Sequence, residues 1–215
     1  MATAVKKQTA KDNLVPDADD TIIKLQLSLT GIAPALMHAA NLNDPLYPPK
    51  RRYDELNSKG SKKTLADNEE VARIEWYAAL YWDEELGPYF PSRNVKACLI
   101  KAGGLGRKGA AVERGVTFAH SKLPLIYEGP RDRDELFAAG FAYTTAIRNS
   151  GMNGGRVQRT RPCFEDWALE ATIYVDPHQI GLEDLGRVAG VAQRIGIGDY
   201  RPEFGTFRAT LVKEA

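Results

Sequence analysis

The clearest signal along the chain is strict alternation. Ile23, Leu25, Leu27 and Leu29 alternate with Lys24, Gln26 and Ser28, and Trp167, Leu169, Ala171, Ile173 and Val175 repeat the pattern. Successive strand side chains point to opposite faces, so each segment predicts a strand with one buried face. Between them the period changes. Val71, Ile74, Ala78 and Tyr81 recur at helical spacing, Trp76 and Tyr77 broaden that stripe, and Thr64 followed by Asp67 supplies a start. A second stripe of Val95, Cys98, Leu99 and Ala102 opens at Pro91-Ser92 and stops at Gly103-Gly104. A third, of Leu182, Leu185, Val188, Ala189, Ala192 and Ile195, stops at Gly196.

Phe141, Tyr143, Thr145 and Ile147 alternate up to the glycine-rich Asn149–Gly155, a hairpin signal. Phe207, Ala209 and Leu211 supply the last strand. Residues 116–127 read as extended with a break at Pro124, 132–139 as a short helix, and 82–90 as turns. Residues 1–20 hold few large apolar groups and predict a disordered tail. Residues 41–63 read as a long irregular polar stretch. The resulting order is βαββαβ with an insertion at about 40–90 after the first strand. It predicts an α+β, ferredoxin-like (RRM-like) antiparallel sheet with two helices on one face, in one domain over 21–213. The basic hairpin, about 141–163, projects from it. Its return arm, Arg156–Pro162, is polar on both faces, so it is not expected as a central strand of a packed sheet but to project into solvent or to meet a polar partner.

Composition adds limits. With 215 residues and 43% hydrophobic side chains the chain can bury a sizeable core. Cys98 and Cys163 form no CxxC pair, and no apolar run reaches spanning length. A reducing, cytoplasmic setting without membrane contact is expected. Gly103–Gly109 lacks the Gly-Lys-Ser/Thr of a phosphate loop. His38, His120 and His178 lack metal-ligand spacing, and there is no Gly-x-Ser-x-Gly elbow. No cofactor and no metal are expected. His38, after the first strand, is either a histidine at the core edge or a general base for a ribose hydroxyl.

The net charge of +1 is uninformative, but its distribution is not. Six basic residues (Arg93, Lys96, Lys101, Arg107, Lys108, Arg114) face one acid, Glu113, over residues 93–114. Arg148, Arg156, Arg159 and Arg161 flank a hairpin tip bearing Met152, with no acid between Arg148 and Phe164. Arg51 and Arg52 sit in the insertion, and Tyr200 and Arg201 in the loop Gly196–Phe207. Such charges serve either as solvated faces or as contacts to a phosphate backbone. An apolar tip such as Met152 suits wedging between bases, and a ring such as Tyr200 suits stacking.

Three segments carry a family resemblance: Leu29-Thr-Gly-Ile-Ala-Pro34, Phe90-Pro-Ser-Arg-Asn-Val-Lys-Ala-Cys-Leu99 and the Gly196–Phe207 loop. In these the chain resembles the RAMP superfamily of CRISPR-associated proteins, above all the backbone subunits that polymerise along guide RNA. The stretch Arg159-Thr-Arg-Pro-Cys-Phe-Glu-Asp-Trp167 is similar to one shared by a group of phage-encoded proteins. The resemblance implies a single-stranded RNA- or DNA-binding protein that self-associates into an oligomer or filament. Arg93, Lys96 and Lys101 would then face the strand, Arg107, Lys108 and Arg114 clamp it, and Arg156, Arg159 and Arg161 form a finger. The glycine-rich loop is expected on the same sheet as the hairpin. Two alternatives stay open: a metal-independent endoribonuclease using His38, and a phage structural or assembly protein.

Overall fold

A computed structural model describes residues 22–148 and 156–213. The predicted tail and the hairpin tip with Met152 lie outside the described residues.

The chain enters through β1 (Ile23–Gly31), in which Leu25, Leu27 and Leu29 are buried, as the alternation requires. A two-residue strand, β2 (Ala35–Leu36), follows. The stretch expected to be irregular instead contains α1 (Lys50–Ser58), where Leu56 alone is buried. It is held on its outer side by Lys50–Asp54 and Arg51–Glu55 pairs at i,i+4 spacing, each worth a few tenths of a kcal/mol, about 0.3. Next, α2 (Leu65–Ala79) begins where expected. The Asp67 amide donates to the Thr64 hydroxyl, and the Thr64 amide donates to the Asp67 carboxylate. The turn-rich residues after it form a hairpin of β3 (Trp82–Asp83) and β4 (Gly87–Pro91).

Helix α3 (Ser92–Leu105) runs past the expected stop at Gly103-Gly104. A Cβ on Gly103 would lie 3.1 Å from the Gly109 amide nitrogen. Its absence lets α4 (Gly109–Gly115) close against α3. What the sequence presents as a basic loop is therefore in part a packed helix. Then come β5 (Val116–Phe118), β6 (Lys122–Pro124), α5 (Arg133–Ala138), β7 (Ala142–Arg148), β8 (Arg156–Phe164) and β9 (Ala168–Val175). Helix α6 (Leu182–Ile195) ends at Gly196, and β10 (Phe207–Lys213) completes the chain.

The largest sheet is antiparallel, in the order β10-β1-β9-β5, with Leu27 opposite both Leu211 and Ala171. Its inward residues share one core with Cys98 and Leu99 of α3 and Val188 and Ala189 of α6. The two helices meet where the Cys98 thiol lies 3.6 Å from the Ala192 carbonyl. Two smaller sheets, β2-β8-β7 and β3-β4-β6, complete a mixed α/β structure with antiparallel pairing and six α-helices among the described residues. No helix among them is long and apolar enough to cross a membrane.

The basic arm departs from the expectation that it would not be a central strand. Its inner half, in β8, is the middle strand of its sheet, with Thr160 and Arg161 buried. Of the two expected outcomes, that half meets polar partners. The hairpin also belongs to a different sheet from β10, so the glycine-rich loop reaches it by another route.

Candidate nucleic-acid interface

The loop after α6 folds back on β2. The Asp199 amide donates to the Leu36 carbonyl at 2.9 Å, and the Gly205 amide to the Pro34 carbonyl at 2.8 Å. Glycine is required here. Gly198 has φ +82°, and a Cβ on it would stand 2.2 Å from the Leu36 oxygen. This close approach carries Asp199 to His38 and Arg161. The Asp199 carboxylate lies 3.2 Å from His38 Nδ1 and 3.1 Å from Arg161 Nε, while Arg161 Nη2 lies 3.4 Å from His38 Nε2. A guanidinium only donates, so His38 Nε2 accepts and Nδ1 carries its hydrogen toward Asp199. Both ring nitrogens of the candidate base thus face protein groups.

Burial by itself would raise the Asp199 carboxyl, but hydrogen bonds from His38 and Arg161 outweigh it and bring it down to about 2. A carboxyl lower in the folded chain than in the unfolded one stabilises above the unfolded value, and that stability is lost as pH falls toward the folded value. Urea unfolding of wild type and Asp199→Asn should therefore differ by about 2 kcal/mol near neutral pH. The difference should shrink between about pH 4 and pH 2. A gap that stays constant through that window would refute the linkage.

A second node lies beneath β8. Glu75 is 2% exposed and accepts from the Tyr53 hydroxyl at 2.8 Å, Arg159 Nη1 at 2.8 Å and the Thr160 amide at 3.0 Å. Burial, then the hydrogen bond to Glu75, pushes the Tyr53 phenol up to about 12.

These nodes divide the sequence-predicted contact residues into two sets. Arg159 and Arg161 are held by Glu75 and Asp199. Arg51 pairs with Glu55, Arg52 with Glu70, and Lys108 with Asp184, while Arg114 donates to Gln179. Arg93, Lys96, Lys101, Arg107, Arg156 and Arg201 form no ion pair or side-chain hydrogen bond among the described residues. Positions 93, 96 and 101 lie on the side of α3 away from buried Val95, Cys98, Leu99 and Ala102. Arg201 faces the same helix across a cleft of about 270 Å³ lined by His38, Tyr81, Asn94 and Ala97. Arg156 is paired with position 148 at the turn end of the hairpin, away from this cluster in the chain. Tyr200 turns inward: its hydroxyl is buried without a hydrogen-bond partner and its ring meets Phe204 edge-on at 6.4 Å. In this loop Arg201, Pro202 and Glu203 are exposed, and Arg201 is the cation among them.

One feature is absent from the sequence expectations. A cleft of about 620 Å³ adjoins the first, sharing Tyr81, and is lined by Tyr47, Trp82, Tyr89, Arg93 and Arg133 among others. The signal was present as aromatic residues recurring with cations over positions 47–93. Trp76, Tyr77 and Tyr81 belong to the helix stripe read from the sequence, and of them Trp76 is fully buried in the core. Among the described residues no group of three or more His, Cys, Asp and Glu is placed to hold a metal ion.

No protein-family model matches the sequence, nor does any curated protein. Among solved structures, the chain is similar to one in the cryo-EM structure of the Type III-B Cmr-beta bound to cognate target RNA. The two share 14% identity with a TM-score of 0.43, over 92% of this chain and 63% of the other. This chain thus spans less than two thirds of that relative's length.

Proposed function

We propose that the protein binds single-stranded nucleic acid, RNA or DNA, along the outer face of α3 and the facing Arg201, without metal or cofactor. The observation that carries this reading is the segregation of cations. Among the described residues Arg93, Lys96, Lys101, Arg107 and Arg201 have no internal partner, whereas six other predicted contact residues are engaged within the fold. A cation without an internal partner can neutralise a phosphate and release its counterion without breaking a native contact. Arg156, exposed on β8, extends the positive surface at the hairpin.

The sheet order β10-β1-β9-β5, with α3 and α6 on one face, supports a ferredoxin-like, RAMP-like domain over 21–213. The sequence resemblance supports side-by-side assembly along the strand. An acidic cleft of about 810 Å³ with Glu128, Glu165 and Asp166 offers a neighbouring copy's cations a complementary surface. Cys98 and Cys163 are free, and burial pushes both thiols up to about 11, in keeping with a reducing cytoplasm.

The test is fluorescence anisotropy of a labelled, unstructured oligonucleotide over a salt series, with light scattering on the same samples. Five phosphate contacts give a log–log slope of about −3.5. Larger assemblies should form only with the strand present. Salt-insensitive binding, or none at low salt, would reject the reading. Equal oligomers without nucleic acid would instead favour the assembly-protein alternative.

A further inference from the structure

The aromatic cleft beside α3 has no part in a purely electrostatic track, yet its chemistry is specific. Resting on the single-strand reading above, we propose that this cleft holds an unstacked nucleobase of the bound strand, against Tyr47 and Trp82, with its flanking phosphates at Arg93 and Arg133.

Its volume of about 620 Å³ lies in the ordinary range for small-ligand sites. Tyr47, Tyr77, Tyr81, Trp82 and Tyr89 all contribute to its lining, with Arg93, Lys122 and Arg133 as cations and Glu84 as the one acid among the described lining residues. Rings interleaved with cations are what a single strand needs, because every base has a π-face and every linkage a charge.

The rings differ in how far the protein already uses them. Tyr77 is occupied, with Trp76 and Phe137 against it and the Arg73 and Arg133 guanidinium groups over it. Tyr89 has Lys122 over its ring at 5.3 Å and packs near Tyr81. Tyr47 and Trp82 have no ring partner among the described residues. The Trp82 indole nitrogen is buried and has no hydrogen-bond partner, a cost that a base carbonyl or ring nitrogen would relieve.

Charge brackets the rings. Arg93 lies at the start of α3, whose first turn has no side-chain cap, and Arg133, at the start of α5, lines the same cleft. The cleft is also continuous. It shares Tyr47, Tyr77 and Arg133 with a neighbouring depression of about 590 Å³, and Tyr81 with the His38–Arg201 cleft. A strand crossing from one to the other passes Tyr47 and the open side of Trp82, whose other side packs on the core.

The experiment compares an ordinary oligonucleotide with an abasic sugar-phosphate strand of equal length, by anisotropy and tryptophan emission. Wild type should bind the ordinary strand about tenfold more tightly. Its emission should be quenched by that strand alone. Trp76 and Trp167 are buried with bonded indoles, so the quench reports Trp82, and Trp82→Phe should abolish it. Tyr47→Ala should lower affinity for the ordinary strand to the abasic level with an unchanged salt slope, and Tyr47→Phe should restore it. Equal wild-type affinity for the two strands with a steep salt slope would overturn the base site and leave the backbone reading standing. An inert Tyr47→Ala with no Trp82 quench would do the same. Failure to bind either strand would overturn both.

Discussion

Replacing Arg93, Lys96, Lys101 and Arg201 together by alanine is expected to flatten the salt dependence of oligonucleotide binding by about 3 in log–log slope. Each side chain removed withdraws one released counterion from the equilibrium, about 0.7 of slope per single-strand phosphate. The weakening between low and near-physiological salt should then shrink by roughly 50-fold. The substitutions break no ion pair among the described residues, since none of the four has one there. Three lie on the exposed side of a helix, where alanine is well tolerated, so stability should move by no more than about 0.5 kcal/mol per site. The matched control is Arg51→Ala with Arg52→Ala, which breaks pairs to Glu55 and Glu70 on α1 and α2 and should leave the slope unchanged. If the quadruple variant keeps the wild-type slope, α3 is not the track.

Glu75→Ala should produce the largest loss of stability, about 3 kcal/mol. One carboxylate at 2% exposure satisfies the Tyr53 hydroxyl, the Arg159 guanidinium and the Thr160 amide. Its removal orphans three donors at once, two of them on β8, while the reverse cost of burying a charge has already been met by the fold. For a chain of this size the melting temperature should fall by roughly 10 °C. A melting temperature within error of wild type would show that the node does not hold β8. Arg159→Ala is consequently a poor probe of nucleic-acid contact, because any loss of binding would arrive with a weakened fold.

Several features could be read from local order alone. Alternation marked β1 and β9 because an extended chain sorts its side chains onto two faces. Thr64 and Asp67 announced α2 because a cap needs only the next turn of its own helix. Gly196 announced the end of α6, where φ is +77°. By contrast, α1 was hidden because its stripe is a single buried leucine. Its signal lay in charge spacing, Lys50 to Asp54 and Arg51 to Glu55. The packed α4 was hidden by the glycines that make it possible, since Gly103 acts on Gly109 across the turn.

The candidate site divides the same way. The sequence by itself determined that positive charge gathers over 93–114 and 148–161 and that a glycine-rich loop precedes the last strand. Only the tertiary structure decided which of those charges are free. Arg159 meets Glu75 across 84 positions, Arg161 meets Asp199 across 38, and Lys108 meets Asp184. A charge's availability depends on what stands within a few ångströms of it, and for residues this far apart that distance exists only once the chain has folded.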